Sequence, residues 1–171
     1  ESVPWTGIVD ELKIEDQYCT LYTYNDYGQP TATVVFDLSE SEGEIHSNTE
    51  YNTANGSHIF GTVSSETDSL GKVTRYFYNE NNGRLLATIY PDGNGVSYSY
   101  DGVGNLIQVL PATFSSSSNT YSSNTLSASV EYTYDNVTKR LSTIKTESST
   151  YNFTYDGFGN TAQIGVGTRT L

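Results

Sequence analysis

The chain has 171 residues, 20 acidic against 8 basic side chains, and a formal net charge of −12. That balance excludes nucleic acid and anionic membrane surfaces as partners, since both are held through basic residues that neutralise phosphate. The single cysteine, Cys19, excludes an internal disulfide framework, and no apolar run is long enough to span a bilayer. The 15 tyrosines and 15 glycines, with one tryptophan, favour strands and turns over helices. No window of ten or more residues has convincing helical periodicity.

Residues 1–17 stand apart. Trp5, Ile8, Val9, Leu12 and Ile14 lie in an acidic frame and read as an N-terminal strand capping whatever follows. From residue 18 to 171 the pattern is one of hairpins. The first runs from Tyr18 to Asp37, with Tyr22 and Tyr24 alternating with threonine and a turn at Asn25-Asp26-Tyr27-Gly28. Pro30 is expected to weaken its return strand or to place it at an edge. Asp37, Glu40, Glu42 and Glu44 form an acidic solvated loop, since the spacing of a calcium loop is absent. A worn copy of the hairpin sits at Tyr51-Asn52 with Gly56 and Val63. The next is Tyr76-Phe77-Tyr78-Asn79 with Gly83-Arg84-Leu85 and Ile89, and Tyr90-Pro91-Asp92-Gly93 turns the chain again.

Val96 to Val109, VSYSYDGVGNLIQV, is the clearest copy. Val96, Tyr98 and Tyr100 alternate with Ser97, Ser99 and Asp101, the two-residue period of a strand with one aromatic face. Gly102 and Gly104 supply the turn. Pro111 to Ser129 interrupts the period with a Ser/Thr-rich stretch, expected to be a floppy surface connection or a sugar-contacting loop. Tyr132-Thr133-Tyr134-Asp135 with Arg140-Leu141 and Ile144 follows. Tyr151 to Asn160, with Tyr155, Gly157 and Gly159, nearly duplicates the stretch from Val96. One detail resists simple alternation: Leu106 and Val109, like Leu141 and Ile144, are three apart. Either the return strands bulge or both sheet faces are covered.

The second tyrosine recurs at positions 24, 78, 100, 134 and 155, in steps of 22, 34 and 21 residues after position 78. A period near 21 means a repeat architecture in which each hairpin cannot bury its own apolar face. The repeat core is then Tyr22, Tyr24, Tyr76, Tyr78, Tyr98, Tyr100, Tyr132, Tyr134, Tyr151 and Tyr155. The turn positions are Gly28, Gly83, Gly102, Gly104, Gly157 and Gly159. The tyrosines are read as glue between successive hairpins, with a sugar-stacking platform as the rival.

The pattern Tyr-x-Tyr-Asp-x-x-Gly-x-Leu-x-x-Ile/Val, with Pro-Asp-Gly at Pro91-Asp92-Gly93, resembles the YD repeat of the Rhs family, which includes bacterial toxin carriers and wall-associated proteins, with teneurins as animal relatives. The resemblance implies an all-β, spiralling ribbon of repeated β-hairpins, part of a hollow β-shell. It implies a non-catalytic structural segment of a secreted or cell-surface bacterial protein, encasing or displaying a toxin or adhesin part. Gly7 to Ile14 also resembles the last strand of jelly-roll carbohydrate-binding modules, which implies, as the alternative to a capping strand, that residues 1–17 are the tail of a preceding jelly-roll-like module. Expected partners are other YD repeats of a larger parent chain or copies of the chain itself, with glycans as the alternative. An unmanaged open edge makes a self-assembling unit a third reading. With no methionine and Glu1 at its start, the chain is expected to be a piece of something longer.

Nothing in the sequence points to catalysis, a cofactor or a metal. His46 and His58 are the only histidines and neither has a second His or Cys at ligand spacing. No Gly-x-Ser-x-Gly elbow is present. The chain is read as non-enzymatic.

Overall fold

The computed structural model describes residues 18–37, 45–125 and 129–167. The expected N-terminal strand and the acidic loop after Asp37 lie outside the described residues. The described residues hold thirteen strands and no helix, so the all-β expectation holds. The strands are β1 (Tyr18–Tyr24), β2 (Pro30–Asp37), β3 (Ile45–Tyr51), β4 (Val63–Thr67), β5 (Val73–Tyr78), β6 (Leu85–Ile89), β7 (Asn94–Tyr100), β8 (Leu106–Ser115), β9 (Thr120–Ser123), β10 (Val130–Tyr134), β11 (Leu141–Lys145), β12 (Thr150–Tyr155) and β13 (Thr161–Gly167). They fall into two compact units, divided after Arg84.

In the first unit β1 to β5 pair in sequence order, each antiparallel to the next. In the second unit β6, β7, β8, β10, β11, β12 and β13 form an antiparallel series, and β9 pairs with β8. Consecutive pairing through short turns is what a chain of hairpins produces when each must cover the exposed edge of its predecessor.

Five hairpins carry the same irregularity. The register slips at Tyr24, Tyr51, Tyr100, Tyr134 and Tyr155, the last residue of each outgoing strand. Tyr98 pairs with Val109, yet Tyr100, two residues on, pairs with Leu106. Tyr132 pairs with Ile144 and Tyr134 with Leu141. The extra residue of the bulge is Ile107 in one return strand and Ser142 in the other. The bulge therefore resolves the three-residue spacing: it turns Leu106 onto the face of Val109, and Leu141 onto the face of Ile144.

Two expectations need correction. β2 is paired on both sides, so Pro30 is not on an edge strand. It occupies the first position of the strand, opposite Tyr24 and beside the bulge, where a missing N–H costs the ladder little. The Ser/Thr-rich stretch is not a floppy connection where it is described. β8 runs on to Ser115 and turns back into β9, with Phe114 opposite Tyr121 and Asn119 in the left-handed region at φ 51°. Among the described residues β10 pairs with β8 at Gln108 and Val109, and β9 takes up the same edge from Ala112 onward. Threonine, serine and aromatic side chains suit such a pleated surface.

The deepest burial lies in β6 to β8, on the face opposite the tyrosines. Ala87 and Ile89 are fully buried, and Ser97, Leu110 and Ala112 nearly so. Ala87 pairs with Ser97, Ser97 with Leu110, and Gly95 with both Ile89 and Ala112, which places them all on one face. Gly95 is required by close approach: a Cβ there would stand 2.1 Å from the Thr88 carbonyl oxygen and 2.8 Å from Ile89 Cδ1. Small side chains let neighbouring groups approach closely on this face. The tyrosines, whose hydroxyls must reach a polar partner, stay half-exposed on the other.

Candidate functional site: the tyrosine and aspartate ladder of the repeats

The last residue of each outgoing strand is followed by an Asp or Asn that organises the turn. Asp101 Oδ1 accepts hydrogen bonds from the backbone N–H groups of Val103, Gly104 and Asn105 at 3.0, 2.7 and 2.8 Å, and its Oδ2 accepts from Asn105 Nδ2 at 2.9 Å. Asp156 repeats this with Phe158 N, Asn160 N and Asn160 Nδ2. Asp135 accepts from Val137 N, Thr138 N and Thr138 Oγ1. Asn25 does the same work uncharged, accepting from Tyr27 N and Gln29 N and donating to Gln29 Oε1. A short acceptor side chain at this point captures donors that the turn leaves without ladder partners.

These bonds favour the ionised carboxylate. In Asp156 the bonds from Asn160, side chain first and then backbone, hold the carboxyl below its ordinary value. Asp135 is lowered by its Thr138 bonds and Asp92 by those from Asn94. In Asp101 desolvation acts against ionisation, but the bonds from Asn105, Gly104 and Val103 outweigh it and the net shift is downward.

The tyrosine preceding each of these residues does different work. Tyr100 Oη donates to the Leu85 carbonyl at 2.9 Å, Tyr134 Oη to that of Leu106 at 2.9 Å, and Tyr155 Oη to that of Leu141 at 2.8 Å. Each acceptor is the first residue of the return strand in the preceding repeat. In the first unit Tyr51 Oη donates to the Pro30 carbonyl at 2.7 Å. Proline keeps its carbonyl, so it can stand where other repeats have leucine. Tyr51, read from sequence as part of a worn copy, makes the same bond as the clear ones. The Tyr134 hydroxyl is held above its ordinary pKa by burial first, then by the charges of Asp101 and Tyr132. Burial and then Glu66 raise Tyr78, and burial raises Tyr121.

The other tyrosines named from sequence occupy varied places. Tyr76 Oη donates to Glu66 Oε2. Tyr98 and Tyr132 are half-buried opposite Val109 and Ile144. Tyr22 and Tyr151 are just over a third exposed. Of the six turn glycines, Gly28, Gly83, Gly104 and Gly159 have positive φ, whereas Gly102 and Gly157 occupy turns without it.

Some contacts were not legible in sequence. The Arg140 guanidinium lies over the Tyr155 ring, 5.4 Å from its centroid, and against Gly159, where a Cβ would meet Nη2 at 2.1 Å. The signal available was Arg-Leu in one repeat with Gly-x-Gly-Asn in the next. In the first unit Gln29 Nε2 donates to the Gly61 carbonyl at 2.7 Å, and Tyr27 meets Phe60 edge-on at 5.1 Å. The loop between β3 and β4 is thus tied to the turn between β1 and β2.

Among the described residues no group of three or more His, Cys, Asp or Glu side chains could hold a metal ion. Among them no helix is long and apolar enough to cross a membrane. A shallow recess of about 150 Å³, lined by Asp101, Ile107, Tyr132, Tyr134 and Lys139, opens between two turns of the second unit. Its carboxylates already serve their own turns.

The comparisons follow the repeat. The RHS Repeat family model matches residues 60–94 and again 81–112, the span from the β3–β4 loop into β8. No curated protein sequence matches the chain. Among solved structures it is similar to TcdB2-TccC3 without its hypervariable C-terminal region, at 18% identity and TM-score 0.47, over 87% of this chain and 9% of that one. A second crystal structure of TcdB2-TccC3 matches at 14% identity and TM-score 0.30, over 90% of this chain and 11% of that one. The Tc holotoxin pore of Photorhabdus luminescens matches at 15% identity and TM-score 0.29, over 90% and 10%. The chain spans about a tenth of the length of the chains it matches. Residues 60–112 thus match the RHS repeat, within a longer run of antiparallel hairpins.

Proposed function

We propose that the chain is a non-catalytic structural segment of a secreted or cell-surface Rhs/YD-repeat protein, and that it builds part of a β-shell encasing or displaying a toxin or adhesin part. The observation that carries the reading is one pair of contacts repeated along the chain. Tyr51, Tyr100, Tyr134 and Tyr155 each give their hydroxyl to the preceding repeat, and Asp101, Asp135 and Asp156 give their carboxylates to their own turns. Residues committed in this way hold a wall together. A wall is also what the RHS repeats of residues 60–112 suggest. The partners are then neighbouring YD repeats, and the acidic surface keeps the wall soluble.

The test is limited proteolysis of the parent protein. If the ribbon encloses a segment, that segment resists protease in the wild type and is cut in a parent carrying Ile89→Asp, which opens the wall. Equal cleavage in both would refute enclosure. A glycan array addresses the carbohydrate-binding alternative: binding lost in Tyr121→Ala would favour it over the structural role.

A further inference from the structure

The four tyrosine bonds obey one rule of phase. Counting three residues on from each acceptor carbonyl leads to Thr33, Thr88, Val109 and Ile144. These pair with Ser47, Val96, Val130 and Tyr151 on the next strand. Each of those partners lies four residues before the donating tyrosine: Tyr51, Tyr100, Tyr134 and Tyr155. The acceptor, the cross-strand pair and the donor are therefore locked in register, and a bulge follows the acceptor at Pro30, Leu106 and Leu141.

β13 begins the same pattern without completing it. Thr161 pairs with Tyr155, as Leu106 pairs with Tyr100 and Leu141 with Tyr134. Three residues on stands Ile164, in the position of Val109 and Ile144. Those two are half-buried, whereas Ile164 is 57% exposed and Val166 is 59% exposed. Among the described residues β13 pairs only with β12. Among the described residues its outer edge is an unfilled copy of a contact made four times elsewhere.

We infer that this edge receives, antiparallel, a further strand of Tyr-x-Tyr form. In that strand the residue opposite Ile164 precedes by four the tyrosine whose hydroxyl donates to the Thr161 carbonyl. The inference rests on the structural reading above and names its partner: a YD strand, docked in one register. Backbone pairing supplies the affinity and the tyrosine supplies the phase.

The probe is a synthetic peptide with the sequence of residues 150–160, in which Tyr151 would face Ile164 and Tyr155 would reach Thr161. It is added to the intact chain, and amide hydrogen exchange is followed segment by segment. The expected result is slowed exchange at 161–167, and binding roughly three- to tenfold weaker when the peptide carries Tyr155→Phe, the loss of one hydrogen bond. Chain carrying Ile164→Asp, an exposed position whose folding is checked by its melting temperature, should lose the protection. Protection at Tyr18–Tyr24 instead, equal binding by both peptides, or no binding would each overturn the inference. None of these results alters the proteolysis experiment on the parent, so the two readings fail separately.

Discussion

Removing the hydroxyl alone tests the tyrosine ladder, because Tyr→Phe keeps the ring in place. In Tyr134→Phe the bond of 2.9 Å to the Leu106 carbonyl disappears, and a half-buried carbonyl loses its donor. One such bond contributes about 1 kcal/mol net, with a range of roughly 0.5–1.5. For a chain of this size that lowers the melting temperature by about 2–4 °C. The same change at Tyr100 and Tyr155 should cost as much, since their bonds have the same geometry. The three bonds join different strand pairs and share no atoms, so their effects should add to about 3 kcal/mol in the triple variant. Thermal unfolding followed by near-ultraviolet circular dichroism reads the shift. A triple Phe variant that melts within about 1 °C of wild type would refute the ladder as a source of stability.

The remaining predictions concern the core, the turns and pH. Ile89→Ala empties a fully buried site in β6 and should cost about 2–5 kcal/mol, read as a lower urea midpoint with unchanged slope. Gly83→Ala should destabilise more than Gly28→Ala. Both have positive φ, at a cost of about 1 kcal/mol, but only at Gly83 would the new methyl stand 2.8 Å from the His58 carbonyl oxygen; paired melting curves decide it. Val109→Asp, facing Tyr98, should unfold the chain at markedly lower urea than Ile107→Asp, which changes the bulge residue; equal midpoints would contradict the bulge. Acid should weaken the turns. The folded carboxyls of Asp92, Asp101, Asp135 and Asp156 lie below the unfolded value of 3.8, so their contribution is complete above that value. It is lost as pH falls through the depressed folded values. Urea midpoints measured from pH 7 to 2 should drop below about pH 4, with a smaller drop in Asp101→Ala combined with Asp156→Ala.

The hairpins, their order and their turns were written in the sequence, because each depends on neighbours in the chain. Tyr98-Ser99-Tyr100 alternates faces over two residues, and Asp101 and Asn105 lie close enough to close a turn by themselves. The choice between a bulge and two covered faces was visible as a question in the spacing of Leu106 and Val109. Only pairing with Tyr98 and Tyr100 answered it, since register depends on a second strand. The tyrosines announced themselves by period, but their acceptors did not. A backbone carbonyl carries no sequence signature, so Pro30 could replace a leucine without losing the bond. The sequence marked the tyrosines as the glue between hairpins but left open which face of the ribbon packs more tightly. The tertiary structure placed the tightest packing on the face opposite the tyrosines, at Ala87, Ile89 and Ala112. Small side chains allow the closest approach, while a tyrosine must keep its hydroxyl within reach of a partner. The order of the strands was thus set locally, and the face that packs was set by what neighbouring strands bring against it.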